Sequence, residues 1–325
     1  MSKTNEFIEK IKLGDFRTIA KAITMVENNL ENSEALLLNL KANPKTKVIG
    51  ITGPPGAGKS TLVNALLKQL TQAPKPSQEK HTPNPSQEEH TPNPSQEGNK
   101  VAVLSVDPSS PFNLGALLGD RIRMSDFYLN ENVFIRSLAS RGSLGGLNVK
   151  IIEIIDIVRA SVFDYILLET VGVGQSEVEI AGIADTTIVV MVPEAGDEVQ
   201  TMKAGVMEIA DIFVVNKADR DNADEFIKNL KILSHSKANE WEIPVVKCVA
   251  SQYIGIDELI NVVQKHSHFI STNAARKIHL LTEKAYQLIQ QKRMIDVSKM
   301  ELYELIKNKM SENDFNVYQI IERNF

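Results

Sequence analysis

The chain contains 325 residues, 42% of them hydrophobic, so it can bury a large core and fits one main domain with extensions better than several domains. A net charge of −5 argues against a nucleic-acid-binding surface, and a single cysteine, Cys248, excludes an intramolecular disulfide. The first residues lack the apolar core of a signal peptide, and no run approaches the ~18 apolar residues of a membrane span. We therefore expect a cytoplasmic protein with neither nucleic acid nor membrane as a partner.

The predicted elements begin with an N-terminal helical extension over residues 1–46. Apolar residues recur there at helical spacing, as in Ile8, Ile11, Ile19 and Ile23, and Pro44 closes the section. Over residues 47–270, apolar runs typical of strands alternate with helical segments. This alternation predicts an α/β domain with a mostly parallel central sheet flanked by helices. The strands are predicted at Val48–Thr52, Val101–Val106, Val133–Arg136, Tyr165–Glu169, Thr186–Val192, Ile212–Asn216 and Val245–Val249.

A complete phosphate-binding loop follows the first of these strands. The pattern GxxxxGKS lies between an apolar strand and a helical segment, where backbone N–H groups and a helix N-terminus face a triphosphate. In this pattern Lys59 supplies a charge to the β- and γ-phosphates, and Ser60 supplies a hydroxyl to Mg²⁺. The predicted nucleotide contacts are Gly53, Pro54, Pro55, Gly56, Ala57, Gly58, Lys59, Ser60 and Thr61.

A low-complexity insert over residues 74–98 comes next. The sequence Pro-Ser-Gln-Glu begins at Pro76, Pro85 and Pro94, a nine-residue period. The Gly and Asp positions of a calcium-binding β-roll are missing, and His81 and His90 lack the Cys or paired carboxylates of a metal site. Because the insert is rich in proline and nearly devoid of apolar residues, we predict that it is disordered.

Three acidic residues follow strand ends or lie in adjoining loops. Asp107 follows the second predicted strand, Asp120 lies in a later loop, and Glu169 ends the fourth strand. Mg²⁺ beside a triphosphate takes one or two carboxylates and fills its other positions with water. These three residues and Ser60 are therefore the predicted metal site. Gly172 lies where the Asp-x-x-Gly pattern of many GTPases has its glycine, so its amide is predicted to sense the γ-phosphate.

The predicted base-recognition motif is the run Asn-Lys-Ala-Asp after the sixth strand. A carboxylate at Asp219 can accept hydrogen bonds from N1–H and the 2-amino group of guanine, whereas adenine offers neither donor. Lys217 would lie along the base, and Asn216 would tie this loop to the phosphate loop. Downstream, Ala250, Ser251 and Gln252 are predicted to join the nucleotide site. The predicted ligands are therefore GTP and GDP.

The C-terminal residues 271–325 form a predicted helical segment. Apolar residues again recur at helical spacing, first at Leu280, Leu281, Leu288 and Ile289 and then over residues 302–306. The sequence thus divides into an N-terminal helical extension, a nucleotide-binding domain and a C-terminal helical segment.

Seven segments of the sequence carry a resemblance to a known family. GITGPPGAGKST, VDPSSP, LGDRIRM, RGSLGGL, ETVGVGQSE, GDEVQ and NKAD resemble the MeaB/ArgK-type P-loop GTPases associated with methylmalonyl-CoA mutase. The resemblance extends from Gly14 through the C-terminal helices and omits only the repeat insert. It implies a GTP-hydrolysing chaperone that assists adenosylcobalamin loading and protection of the mutase.

Site residues and partners follow from the same resemblance. It implies catalytic roles for Lys59, Asp107, Glu169 and Gly172, with Mg²⁺ and no tightly bound organic cofactor. It also implies a homodimer built through the C-terminal helices, and a mobile segment over residues 194–203 that couples nucleotide to partner. Glu194 is a small departure, because the family more often has glycine there.

Three alternatives remain open at this stage. Nickel-insertion GTPases share the Glu-type switch, but they depend on Cys and His metal sites that Cys248 and the scattered histidines do not supply. A kinase linked to amino-acid transport fits the guanine-type motif less well. A nucleotide-dependent binding switch would act by occupancy and not by turnover. Gln175 is the candidate for positioning the attacking water, unless a partner completes the site.

Overall fold

The structure is a computed structural model that describes residues 3–72, 98–107, 124–139, 147–170, 176–195, 206–235, 241–294, 297–309 and 317–324. The chain divides into two compact units, Met1–Ala274 and Ala275–Phe325. Several sequence predictions fall outside the described residues, including the disorder of the repeat over residues 73–97 and the placement of Asp120, Gly172 and Gln175.

A parallel sheet forms the centre of the first unit. Its strand order is β3–β2–β4–β1–β5–β6–β7, and every pairing is parallel. The strands are β1 (Lys47–Thr52), β2 (Val101–Asp107), β3 (Val133–Ala139), β4 (Tyr165–Glu169), β5 (Thr186–Met191), β6 (Ile212–Val215) and β7 (Val245–Lys247). The predicted α/β class is confirmed, and the described sheet is entirely parallel.

Two strand ends differ from the prediction by more than one residue, for identifiable reasons. Strand β3 continues to Ala139 because it pairs with β2 along its whole length. Strand β7 ends at Lys247, since Val249 instead forms an isolated antiparallel bridge with Ile254. Local bridging of this kind is not visible in the apolar pattern that defines a strand in the sequence.

Helices lie on both faces of the sheet. One apolar cluster joins Ile49 and Ile51 of β1 to Leu62 and Leu66. A second joins Val189, Met191 and Phe213 to Leu230. The first unit contains α1 (Lys3–Lys12), α2 (Phe16–Glu27), α3 (Ser33–Asn39), α4 (Lys59–Thr71), α5 (Ile151–Arg159), α6 (Ser176–Ala181), α7 (Val206–Ile209), α8 (Ala223–His235) and α9 (Ile256–Thr272).

The sheet register brings the site loops to one edge. Strand β1 lies between β4 and β5, with Ile51 opposite both Glu169 and Ile188. Because the strands are parallel, the chain leaves β1 at Gly53 and β4 at Thr170 on the same side. This carboxyl edge, where neighbouring connections diverge, is where open α/β sheets bind ligands.

The N-terminal helices are part of the first unit and pack against its sheet and helix α5. Helix α2 contacts α5, and Phe16 lies 5.5 Å from Phe134 and 5.8 Å from Phe163 between ring centres. An ion pair of 2.9 Å joins Glu27 to Arg136 of β3. The helix begins at the Asp15 cap, whose carboxylate accepts the Thr18 amide.

The described residues on either side of the repeat insert contact one another. Asn99 donates to the Leu70 carbonyl both from its amide N–H, at 3.2 Å, and from Nδ2, at 2.8 Å. A side chain at Gly98 would meet the Thr71 carbonyl, so this glycine permits the close return. The chain therefore leaves α4 and re-enters β2 through a closed stem.

The second unit consists of helices with exposed apolar side chains. Its elements are α10 (Ala274–Arg293), α11 (Lys299–Lys309) and α12 (Val317–Asn324). Leu281 and Ile289 are 56% and 50% exposed, and Tyr303 is 64% exposed. In the part of the chain that the structure describes, no helix is both long and apolar enough to span a membrane.

Candidate nucleotide-binding site

The phosphate loop is fixed by close backbone approaches. Gly53 has a φ of 142°, and a Cβ there would lie 2.2 Å from the Val190 carbonyl of β5. Gly58 has a φ of 86°, and a Cβ there would lie 2.4 Å from Asn216 Nδ2. Both positions therefore require glycine, and α4 begins directly after the second of them.

Lys59 is held by hydrogen bonds to the backbone of this loop. Its side chain is buried, and Nζ donates to the carbonyls of Gly53 at 2.9 Å and Pro54 at 3.1 Å. The cation is thus positioned by the loop that surrounds it. A bound phosphate would offer negative charge in place of these neutral acceptors, which makes the contact charge-assisted and stronger.

Ser60 and Glu169 are 109 residues apart in the sequence and come together in the fold. The Ser60 hydroxyl donates to Glu169 Oε1 at 2.6 Å, and the glutamate is 4% exposed. A hydroxyl beside a buried carboxylate is a pair of hard oxygen donors, so the two residues fit Mg²⁺. Two of the four predicted metal ligands, Ser60 and Glu169, are therefore in contact.

The other predicted metal ligands are placed less completely. Asp107 ends β2, opposite Ala139, and the structure describes its backbone but not its side chain. Asp120 lies outside the described residues, as does Gly172 of the predicted catalytic set. Within the described part of the chain, no group of three or more His, Cys, Asp or Glu side chains could hold a metal ion.

Asn216 links the base-recognition loop to its neighbours. Its Nδ2 donates to the Ala57 carbonyl at 2.9 Å, and its Oδ1 accepts the Ala250 amide at 3.1 Å. Lys217, with a φ of 54°, donates to the Gly56 carbonyl at 2.7 Å. The link between the two loops that the sequence suggests is present, and a third segment at Ala250 joins it.

The remaining predicted base contacts surround this link. Asp219 is exposed, as required of a carboxylate that meets a ligand. Ala250, Ser251 and Gln252 form a short 3₁₀ turn, with Ala250 buried and the other two exposed. All of these residues therefore lie on loops that Asn216 joins to the phosphate loop.

Two contacts at this edge were missed from the sequence. Thr170 donates from Oγ1 to Oγ1 of Thr52 at 3.0 Å, in a buried pair that ties the end of β4 to the end of β1. Glu194 forms an ion pair with Arg220, and this hydrogen bond lowers the pKa of the glutamate. The polar Thr52 in an apolar strand was the available signal for the first contact. Nothing in the sequence pattern marks the second.

Cys248 lies close to the base-recognition loop but has no reactive character. Burial raises the pKa of its thiol to about 12, and Sγ donates to the Gly255 carbonyl at 3.6 Å. The Cys248 carbonyl accepts the Ala218 amide. The neutral thiol is a small core group, as expected for a cysteine buried in apolar surroundings.

The fold and the site together define a P-loop GTPase, which binds GTP and GDP. A family model described as methylmalonyl Co-A mutase-associated GTPase MeaB matches residues 19–76 and 88–305. The chain belongs to this family, and the resemblance stated from the motifs is confirmed. Like the family, it is a GTP-hydrolysing enzyme.

Several named relatives support this assignment. A Pyrococcus horikoshii protein provisionally named a GTPase is 44% identical over 83% of this chain and 80% of its own. GTPase ArgK of Escherichia coli is 35% identical over 79% of this chain and 74% of its own length. The mouse mitochondrial methylmalonic aciduria type A homolog is 31% identical over 82% of this chain and 64% of its own.

A solved structure shares the fold. The crystal structure of an LAO/AO transport system kinase superposes with a TM-score of 0.66 at 24% identity, covering 99% of this chain and 96% of the other. At this identity the likeness concerns the fold alone.

Proposed function

We propose that this GTPase is a nucleotide-controlled chaperone of an adenosylcobalamin-dependent methylmalonyl-CoA mutase. The family match over most of the chain supports this role, and the mouse relative carries a name that refers to methylmalonic aciduria. The observation that carries the proposal is the Ser60–Glu169 hydrogen bond of 2.6 Å, because two oxygen groups suited to Mg²⁺ meet there, directly before the predicted switch.

The metal-binding pair gives the site its proposed chemistry. Mg²⁺ would be held by Ser60, Asp107, Asp120 and Glu169, and when bound it neutralises charge on the β- and γ-phosphates. Lys59 binds the same phosphates from the loop. The Gly172 amide would contact the γ-phosphate, so that GTP and GDP favour different arrangements of the segment after β4.

Guanine selectivity is assigned to Asp219. The bonds from Asn216 to Ala57 and Ala250, and from Lys217 to Gly56, hold the base-recognition loop against the phosphate loop. The Asp219 carboxylate is then left to accept N1–H and the 2-amino group of guanine. Ala250, Ser251 and Gln252 would border the same base.

Coupling to the mutase is assigned to the segment over residues 197–203. Glu194 lies shortly before this segment and pairs with Arg220, which follows Asp219 directly. The position where the family more often has glycine therefore contacts the base-recognition loop in this protein. This ion pair connects the start of the segment to the base-recognition loop, while the contact that differs between GTP and GDP is the proposed γ-phosphate contact of Gly172.

A homodimer through the C-terminal helices is part of the proposal. The second unit exposes Ile278, Leu281, Tyr286, Ile289 and Tyr303 at 50% or more. Such apolar side chains are costly to leave in water, and a second copy of the chain would bury them.

Binding of a candidate mutase in different nucleotide states tests the function. We expect its affinity, measured by calorimetry, to differ between the GDP form and a nonhydrolysable GTP-analogue form by about 5- to 150-fold, the usual range of coupling between sites. By reciprocity the mutase should change nucleotide affinity by the same factor. Equal affinities in both states, with no change in GTP turnover, would defeat the chaperone role and leave the GTPase assignment intact.

A further inference from the structure

Ser105 is a buried hydroxyl for which the described structure offers no partner. It lies in the apolar strand β2, is 1% exposed, and its Oγ makes no hydrogen bond among the residues that the structure describes. A buried polar group left unsatisfied costs about 1–3 kcal/mol. An alanine of nearly the same size would avoid this cost, so the hydroxyl requires an explanation.

The sheet register places Ser105 beside Glu169. The two residues are direct partners in the β2–β4 pairing, and Ile51 is the partner of Glu169 on β1. Residues opposite one another in a parallel pairing direct their side chains to the same face of the sheet. That face packs on α4, since Ile51 belongs to the apolar cluster of Leu62 and Leu66. Helix α4 begins with Lys59 and Ser60.

The Glu169 carboxylate is a group that can accept several hydrogen bonds at once. A carboxylate has about four acceptor positions, and Ser60 Oγ is one of its donors, at Oε1. In metal sites, hydrogen bonds from a second layer of residues orient the liganding group, and their loss weakens metal binding. Ser105 carries a hydroxyl donor, it is the direct pairing partner of Glu169 on β2, and it lies on the face of the sheet where Ser60 contacts Glu169.

We propose that Ser105 is a positioning residue for the magnesium site. With nucleotide and Mg²⁺ bound, its hydroxyl donates to the Glu169 carboxylate, directly or through one water, and holds the carboxylate toward the metal. The serine does not contact the metal. The proposal rests on the magnesium-dependent nucleotide binding proposed above.

Titration of Mg²⁺ against nucleotide binding tests this role. Affinity for a fluorescent GDP analogue is measured over a range of Mg²⁺ concentrations and again in EDTA, for the wild type and for Ser105→Ala. We expect Ser105→Ala to raise the Mg²⁺ midpoint by about 10-fold, the low end of the effects measured for such residues. Affinity in EDTA should stay unchanged, and thermal stability should not fall, because a buried unsatisfied hydroxyl is removed.

Ser161→Ala is the matched control. Ser161 is 4% exposed and its Oγ likewise has no partner in the described chain, but it precedes β4 at the opposite edge of the sheet. The control should leave the midpoint unchanged. An unshifted midpoint in Ser105→Ala, or an equal shift in the control, overturns the role of Ser105 alone. If the wild type binds the analogue without any Mg²⁺ dependence, both the magnesium site and this inference fail.

Discussion

The two halves of the nucleotide site are built differently. On the base side, Asn216 and Lys217 connect the base-recognition loop to Ala57, Gly56 and Ala250 through hydrogen bonds of 2.7–3.1 Å. On the metal side, the described contact joins two side chains, the Ser60 hydroxyl and the Glu169 carboxylate. Asp107 is described by its backbone alone, and Asp120 lies outside the described residues.

The two halves also have different tasks. Guanine is present in both GTP and GDP, so its recognition gains from loops that are already in place before binding. The γ-phosphate distinguishes the two nucleotides, and a switch responds only if its contacts differ between the two states. We therefore expect substitutions on the phosphate and metal side to affect turnover most, and substitutions on the base side to change which nucleotide binds.

Lys59→Ala is expected to have the largest effect. It removes the buried cation that donates to the Gly53 and Pro54 carbonyls, so GTP should bind more weakly and turnover should fall by at least ~100-fold, as for loss of one preorganised electrostatic group. Fluorescent-analogue titration and phosphate release measure the two effects. Lys228→Ala, on the exposed face of α8, is the control and should change neither. Unchanged affinity and turnover in Lys59→Ala would contradict the phosphate-loop assignment.

Asp219→Asn should change nucleotide specificity and leave the fold intact. The amide can donate to the 2-oxo group of xanthine, which a carboxylate repels. We expect the ratio of GTP to XTP affinity to shift toward XTP by at least ~100-fold, because unpaired polar groups discriminate strongly. Competition binding measures the ratio, and Asp221→Asn, two residues further along, is the matched control. A variant that retains the full preference for GTP would show that Asp219 does not contact the base.

Strands that are buried on both faces could be predicted from the sequence. Strands β1, β4 and β5 are covered on both faces, so they appear as nearly continuous apolar runs and were located to within about one residue. The phosphate loop was equally clear, because its close approaches to Val190 and Asn216 exclude any residue other than glycine at two fixed positions.

Contacts that depend on tertiary register were not predictable in the same way. The Thr52–Thr170 pair and the position of Ser105 beside Glu169 depend on which strands become neighbours, and single-sequence patterns do not determine strand order. The Glu194–Arg220 pair joins two loops that share no sequence pattern linking them. The apolar spacing of Leu281 and Ile289 correctly indicated a helix, but spacing alone cannot say whether another chain covers that face.

Deletion of Pro76–Glu97 should have the smallest effect on GTP turnover and on stability. The insert leaves and returns through the Asn99–Leu70 stem, so the remaining residues need only close a short turn. Closure entropy changes by ~0.6 kcal/mol for each doubling of loop length. We expect GTP turnover within about twofold of the wild type and an unfolding temperature within ~3 °C.

A single substitution in the stem gives the comparison that makes this deletion informative. Asn99→Ala removes the 2.8 Å bond from Nδ2 to the Leu70 carbonyl and should cost ~1 kcal/mol. If the stem and not the repeat holds this corner together, the one-residue change lowers the unfolding temperature by as much as or more than loss of the whole repeat. A large loss of stability on deletion, with Asn99→Ala nearly neutral, would instead show that the repeat packs against the domain.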